Sequence, residues 1–353
     1  MCHFDRERLE ALVTDGWLSS QRHPDADLWI YNYTKKTQYE GHWTDETLVC
    51  RGLILNDAGE VIARGFSKFF NYPSPQVTSI PAESFVVTEK IDGSLGILYY
   101  LDGHACIATR GNFTSKQAIE GTAMIREHEI ERVEDVTSLF EIVYPANRIV
   151  VDYGDRRELM LLAAICNKTG KDRPLPRYSG PVVPRHGHDD IDSLASMEEQ
   201  NREGFVVAFE SGLRVKIKFA EYARLHKIVT EINARMIWES MRDGDDLDRL
   251  LPGLPEEVHR WISQTRASIQ AAFDDEQARA SAAFERRPTG TDRKTLAHYF
   301  VASDANPAVL FRMLDGNSFH DLIWKAIRPD ASTPRAVDPF SETRVSDSAS
   351  STL

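Results

Sequence analysis

The chain has 353 residues, 42% of them hydrophobic, with a formal net charge of −12 and a pI near 5.4. That length suggests about two domains, and the lack of any apolar run of roughly 18 residues argues against a transmembrane helix. The acidic balance argues against broad, sequence-blind nucleic-acid binding, so a nucleic-acid reading has to name a local basic cleft.

In chain order, residues 1–20 read as a short helix with Leu9, Leu12 and Val13 as its apolar stripe. Its charged start, MCHFDRERLEAL, lacks the apolar core of a signal peptide. From 28 to about 220 the pattern is mainly that of strands. LVCRGLILN and VIARGFSKFF flank Asp57-Ala58-Gly59 as a hairpin would. FVVTEKI and LGILYYL flank Asp92-Gly93, a second turn between expected partner strands. HACIATRG continues as strand, and residues 115–133 have helical spacing. SLFEIVY, RIVVDYG and LMLLAAIC are apolar, β-rich runs. GFVVAFE and LRVKIKF flank Ser211-Gly212 as another hairpin. The expected fold class is α+β, built on antiparallel sheets.

Residues 167–195 are polar and read as loop. His186, His188, Asp189 and Asp190 fall there with no scaffold to hold them at metal-binding spacing, so a solvated loop is preferred over a metal site. Cys2, Cys50, Cys106 and Cys166 are widely spaced and form no C-x-x-C pair. They point to reduced thiols and a cytoplasmic protein. After 220 the texture turns helical, with caps at Asn306-Pro307 and at Ser318/Asp321. The expected organisation is a first domain over 1–230, an all-helical domain over 231–330 and a disordered tail over 331–353.

Lys90 stands in VVTEKIDGSLGILYY (86–100) between two apolar runs. Lys-x-Asp-Gly is short enough to arise by chance, and alone it reads as a residue beside a turn. Its company alters that. Arg51, Lys68, Phe69 and Phe70 lie upstream and Arg110 downstream. Glu141 sits inside an apolar strand, where an isolated carboxylate is costly. Glu203 opens a later strand. Lys216 and Lys218 share one strand face with Arg214. Cations on several strands facing one pocket would hold a triphosphate. A lysine beside other cations would lose part of its proton affinity and become a nucleophile for phosphorus. Carboxylates nearby would hold Mg²⁺.

This ordered set resembles the T4-type RNA ligase 1 family of covalent nucleotidyltransferases. EKIDGSLG is similar to its nucleotidyl-lysine motif, CRG and SKFFN to its upstream elements, and FEIV-PANRIV, EGFVV and KIK-x₃-Tyr to its later motifs, from about Tyr31 to Tyr222. The resemblance implies a nucleotidyltransferase (adenylyltransferase) domain followed by an RNA-choosing helical domain. It implies Lys90 as the adenylated lysine, with Glu89, Ile91, Asp92 and Gly93 around it. Tyr31, Arg51, Lys68, Phe70 and Arg110 would lie about the ATP, although Arg110 stands where the family often has lysine. Glu141 would meet the ribose, and Lys216 and Lys218 the phosphates, with Tyr222 at the family's spacing. Asp92 and Glu203, with Asp245 and Asp246 of GDDLDRL, would serve the metal, Mg²⁺ or Mn²⁺. A solvated helix start accounts for Asp245 and Asp246 as well, and a charged first helical turn for Arg293 and Lys294, which otherwise would touch RNA.

The implied protein is a monomeric, single-strand RNA ligase that uses ATP to join 5′-phosphate and 3′-hydroxyl RNA ends, as in nicked tRNA, away from any membrane. The alternatives are a capping-type guanylyltransferase, a DNA ligase, or a non-catalytic nucleotide or RNA-end binder. The helical texture after 220 argues against the first two, and the lysine–carboxylate set against the third.

Overall fold

A computed structural model describes residues 3–333. In chain order its elements are α1 (Arg6–Thr14), β1 (Leu18–Arg22), β2 (Leu28–Tyr33), α2 (Lys35–Glu40), α3 (Asp45–Val49), β3 (Arg51–Asn56), β4 (Val61–Arg64), β5 (Phe70–Asn71), β6 (Phe85–Lys90), β7 (Ser94–Leu101), β8 (His104–Ala108), α4 (Lys116–Arg126), β9 (Val136–Val143), β10 (Glu158–Cys166), β11 (Asp172–Arg173), β12 (Arg185–His186), α5 (Ile191–Ala195), β13 (Gly204–Phe209) and β14 (Arg214–Lys218). Helices then follow: α6 (Ala220–Glu231), α7 (Ala234–Asp243), α8 (Glu256–Glu285), α9 (Arg293–Ala302), α10 (Pro307–Leu314) and α11 (His320–Ala326). Among the described residues no helix is long and apolar enough to cross a membrane. Cys2 and the tail beyond residue 333 lie outside the described residues.

The chain divides into two compact units, one up to His226 and one from Lys227 on, with the division inside α6. The first unit is the α+β body. Its three sheets have strand orders β1-β2-β3-β4, β11-β10-β9-β7-β8 and β12-β6-β13-β14-β5. All pairings between these strands are antiparallel except β14 with β5. Alternating apolar residues bury Ile30, Ile54, Ile97, Leu139 and Ile165 in one core between the first two sheets. α1 covers the outer face of the first sheet through Leu9, and α4 that of the second through Met124 and Ile125. In the second unit, Phe273, Phe300, Val309, Leu310 and Ile323 pack α8 to α11 together.

The hairpins expected at Asp57-Ala58-Gly59 and Ser211-Gly212 are present as β3–β4 and β13–β14. The turn at Asp92-Gly93 is not a hairpin. β6 pairs with β13 and β12, while β7 pairs with β8 and β9, so the two strands belong to different sheets. The reason is local. The buried Asp92 carboxylate accepts the Val150 and Val151 amides at 2.8 Å each and the Tyr222 hydroxyl at 2.6 Å. The Ile142 carbonyl lies 2.7 Å from where a side chain on Gly93 would begin. The segment is thus a sheet-to-sheet crossing locked against β9. The same bonds explain why RIVVDYG is not a strand: two of its amides serve Asp92 instead of a ladder.

One glycine sets the third sheet. Gly204 has φ +140°, and a Cβ there would stand 2.0 Å from the Ile217 carbonyl oxygen. It opposes Lys90 on one side and Lys218 on the other. Gly204→Ala combines a strained backbone with a clash, and a loss of roughly 3 kcal/mol or more is expected. A thermal melt matching the unsubstituted chain would contradict this.

Candidate active site

The register places Lys90 (β6) and Lys218 (β14) on either side of β13, and Glu203, the residue before β13, reaches both. Lys90 Nζ lies 2.8 Å from Glu203 Oε2, and Lys218 Nζ 3.0 Å from Oε1. Glu203 is 3% exposed and Lys90 21%. Burial works against the Glu203 charge, but the two lysines outweigh it and hold its pKa below the ordinary value.

Lys90 departs from expectation. Burial alone would drive its proton off, yet Glu203 and Glu141 outweigh burial, and its pKa is raised. The cations around the cleft do not activate it, because a carboxylate holds it at contact distance. The lowered lysine is Lys216. Burial and then Lys90, Lys218, Lys68 and Arg51 push its pKa well below the usual range. Its ammonium lies 5.8 Å over the Phe69 ring, and it makes no hydrogen bond or ion pair with any described residue. Arg214, on the same strand face, is taken up by Asp172 at 2.7–2.8 Å.

A second group of cations gathers about Tyr33. Its hydroxyl accepts from Lys68 Nζ and Arg110 Nη1, each at 3.4 Å. Burial raises the phenol's pKa, but Arg110, Arg51 and Lys68 outweigh it, and the net shift is downward. Arg51 Nη1 is buried without a hydrogen-bond partner, and its guanidinium faces the Phe69 ring at 5.7 Å. Phe70 and Trp43 pack edge to face beside Lys68. Arg51, Lys68 and Lys216 thus form a cluster in which none has a carboxylate at salt-bridge distance among the described residues, with Arg110 beside them at Tyr33. This is the arrangement of a polyanion site.

Tyr31 does not join it. Its side chain is fully buried, and its hydroxyl donates to Glu10 at 2.6 Å and accepts from Arg6. A register shift after Tyr31 separates it from Tyr33, and Tyr33 is the tyrosine the cations surround. Alternation puts both on one face, so nothing in YNY distinguished them; Trp43 left no sequence signal. Glu89 points away from Lys90, as alternation requires, and pairs with Arg202 at 3.0 Å. Ile91 is buried with Val143, Met160 and Val183. Both Asp92 oxygens accept protein donors, Oδ2 from two amides and Oδ1 from the Tyr222 hydroxyl. Asp246, in the second unit, caps a 3₁₀ turn and pairs with Arg249 at 3.1 Å. The Asp245 backbone amide donates to the Ser240 carbonyl. Arg293 is bidentate with Asp315 at 2.7–2.9 Å.

Glu141, facing the same cleft, is a carboxyl pushed up to about 8 by burial, with Glu203 and Asp92 adding to the rise and Lys90 opposing it. Residues 49–222 match the RNA ligase family model (RNA_lig_T4_1), so the match opens just before Arg51 and closes on Tyr222. Over this stretch the chain is similar to that T4-type RNA ligase family. An inferred RNA ligase of Thermovibrio ammonificans is 27% identical over 207 residues, covering 52% of this chain and 54% of the relative. An inferred bifunctional polynucleotide kinase/RNA ligase of Autographa californica nuclear polyhedrosis virus is 25% identical over 280 residues, covering 69% and 40%. The chain therefore spans about half the length, or less, of these curated relatives. An archaeal ATP-dependent RNA ligase structure aligns with a TM-score of 0.46 and 15% identity, covering 89% of this chain and 96% of that one.

Two outcomes follow from the charges of this cleft. A half-buried ammonium among other cations and without an anion destabilises the fold, so Lys216→Met is expected to gain about 1 kcal/mol or more, roughly 2–4 °C in Tm. Pyrophosphate is expected to raise the Tm of the unsubstituted chain and not of the variant. A less stable variant, or an equal pyrophosphate shift in both, would refute the anion-site assignment.

The second concerns Glu141. Its folded pKa is raised from 4.5 to about 8, so its contribution to stability is fully present below about pH 4.5 and is lost as pH rises toward 8. Glu141→Gln removes that loss. Its Tm relative to the parent is expected to climb between about pH 5 and pH 8, and a difference that stays flat across melts in that window would be inconsistent with a buried, neutral Glu141.

Proposed function

We propose that this chain is an ATP-dependent RNA ligase that joins 5′-phosphate and 3′-hydroxyl RNA ends through a lysyl-AMP intermediate. The observation that carries this reading is the cluster Arg51, Lys68 and Lys216, with no salt-bridged carboxylate among the described residues, next to Lys90 in a stretch that matches the RNA ligase family model. A triphosphate matches that cluster in charge. The first unit would be the adenylyltransferase domain, and the helical part over 231–330 would help select the RNA, with nicked tRNA the substrate expected from the resemblance.

In the proposed sequence Lys90 leaves Glu203, loses its proton to solvent, and its amine attacks the α-phosphorus of ATP. A P–N bond forms, and the P–O bond to pyrophosphate breaks. The 5′-phosphate of RNA then attacks the same phosphorus, the P–N bond breaks, and Lys90 is regenerated as AMP caps the RNA end. A 3′-hydroxyl attacks the capped 5′-phosphate, loses its proton, and expels AMP. Lys216, Lys218, Lys68 and Arg51 supply positive charge where the phosphates carry negative charge, which is the main lever for phosphoryl-type transfer. A divalent cation arriving with the nucleotide would meet Glu203, whose partners are two flexible lysines, and would supply countercharge for the leaving pyrophosphate.

Lys90→Ala is expected to abolish covalent labelling by α-labelled ATP, with no labelling of either form by GTP. Label retained on the alanine variant would assign the nucleophile elsewhere, and labelling by GTP alone would favour a capping activity.

A further inference from the structure

We propose that Trp43 is a positioning residue for Lys68 and, through it, for the terminal phosphates of the bound triphosphate. The inference rests on the ligase reading above. Three rings meet at Lys68 Nζ: Trp43 at 4.8 Å from the centroid, Tyr33 at 5.0 Å and Phe70 at 5.5 Å. Trp43 is the middle ring. It meets Tyr33 at 5.1 Å and 83°, and Phe70 at 5.6 Å and 79°.

Backbone structure fixes both partners. Trp43 directly precedes Thr44, which caps α3 in a reciprocal capping box with Thr47. The Lys68 amide donates to the carbonyl of Leu48 in α3 at 2.7 Å. One short helix therefore sets the ring and the lysine together.

The physical need is specific. Burial and the repulsion of Arg51 and Arg110 all work against the Lys68 charge. A carboxylate partner would relieve this, but it would also cancel the charge a phosphate has to meet. An aromatic face stabilises an ammonium through its quadrupole and leaves the net charge intact. Remove the middle ring and the lysine has more reason to turn to water.

The test separates the ATP-consuming step from the ATP-independent one. Labelling by ATP is followed against ATP concentration for the parent, Trp43→Ala, Trp43→Phe and Trp43→Leu. Joining of pre-adenylated RNA to a 3′-hydroxyl is followed without ATP. Trp43→Ala is expected to raise the KM for ATP roughly 3- to 30-fold with maximal labelling near that of the parent. Joining of pre-adenylated RNA is expected to stay within roughly twofold, because no terminal phosphates take part in it. Phenylalanine is expected to recover most of the loss and leucine little of it. Unchanged KM, an equal loss in both assays, or rescue by leucine as good as by phenylalanine would each overturn the role of Trp43. A parent chain that takes up no label at all would overturn the ligase reading itself, and this inference with it.

Discussion

The cleft depends on one carboxylate. Glu203, just before β13, sits between two ammonium groups from the strands on either side of β13, Lys90 of β6 and Lys218 of β14. A carboxylate this deeply buried survives as an ion only because both of its oxygens are met by cations. Gly204 makes the arrangement possible, since its φ of +140° and its lack of a Cβ let β14 run close beside Glu203. The motif pair Glu203-Gly204 is therefore one device: the glycine admits the strand, and the glutamate ties the lysines of two strands to a common point.

That point also decides what state Lys90 rests in. Burial and the carboxylates pull its proton affinity in opposite directions, and Glu203, in contact, wins with Glu141 adding to it. A lysine stored on a carboxylate is not a nucleophile. In the proposed sequence, bond formation at Lys90 would first require breaking the 2.8 Å Glu203 contact. Lys216, one face position along β14, has no such partner and carries the depressed affinity instead.

Much of this was legible in the sequence. Alternation located most of the strands, two of the hairpins, and the face shared by Lys216 and Lys218. The joint motifs located Lys90, Glu203 and Glu141. What the sequence hid was long-range. Asp92-Gly93 looks like a tight turn because local turn chemistry and a sheet-to-sheet crossing use the same residues; only the amides of Val150 and Val151, far along the chain, tell them apart. RIVVDYG looks like a strand for the same reason, its apolar content satisfied without a ladder. Tyr31 and Tyr33 are equivalent by period, and the register shift between them is invisible in YNY. The direction of the Lys90 shift depends on a 2.8 Å contact, which no list of nearby charges specifies.

On the proposed reading, the anion site in this cleft is defined less by its cations than by which of them lack carboxylates. Three cations stand on one face of β14. Arg214 is neutralised by Asp172 and Lys218 by Glu203, which leaves Lys216. Lys68 and Arg51 rest against Tyr33, Trp43, Phe70 and Phe69 rather than against acids. Aromatic faces and like charges are a costly way to bury a cation, and a stable fold would not select it for its own sake. It is how a chain with a net charge of −12 keeps a small pocket positive: among the described residues no acid is salt-bridged to those three side chains. The stability given up there is what a bound polyanion would return on the proposed reading.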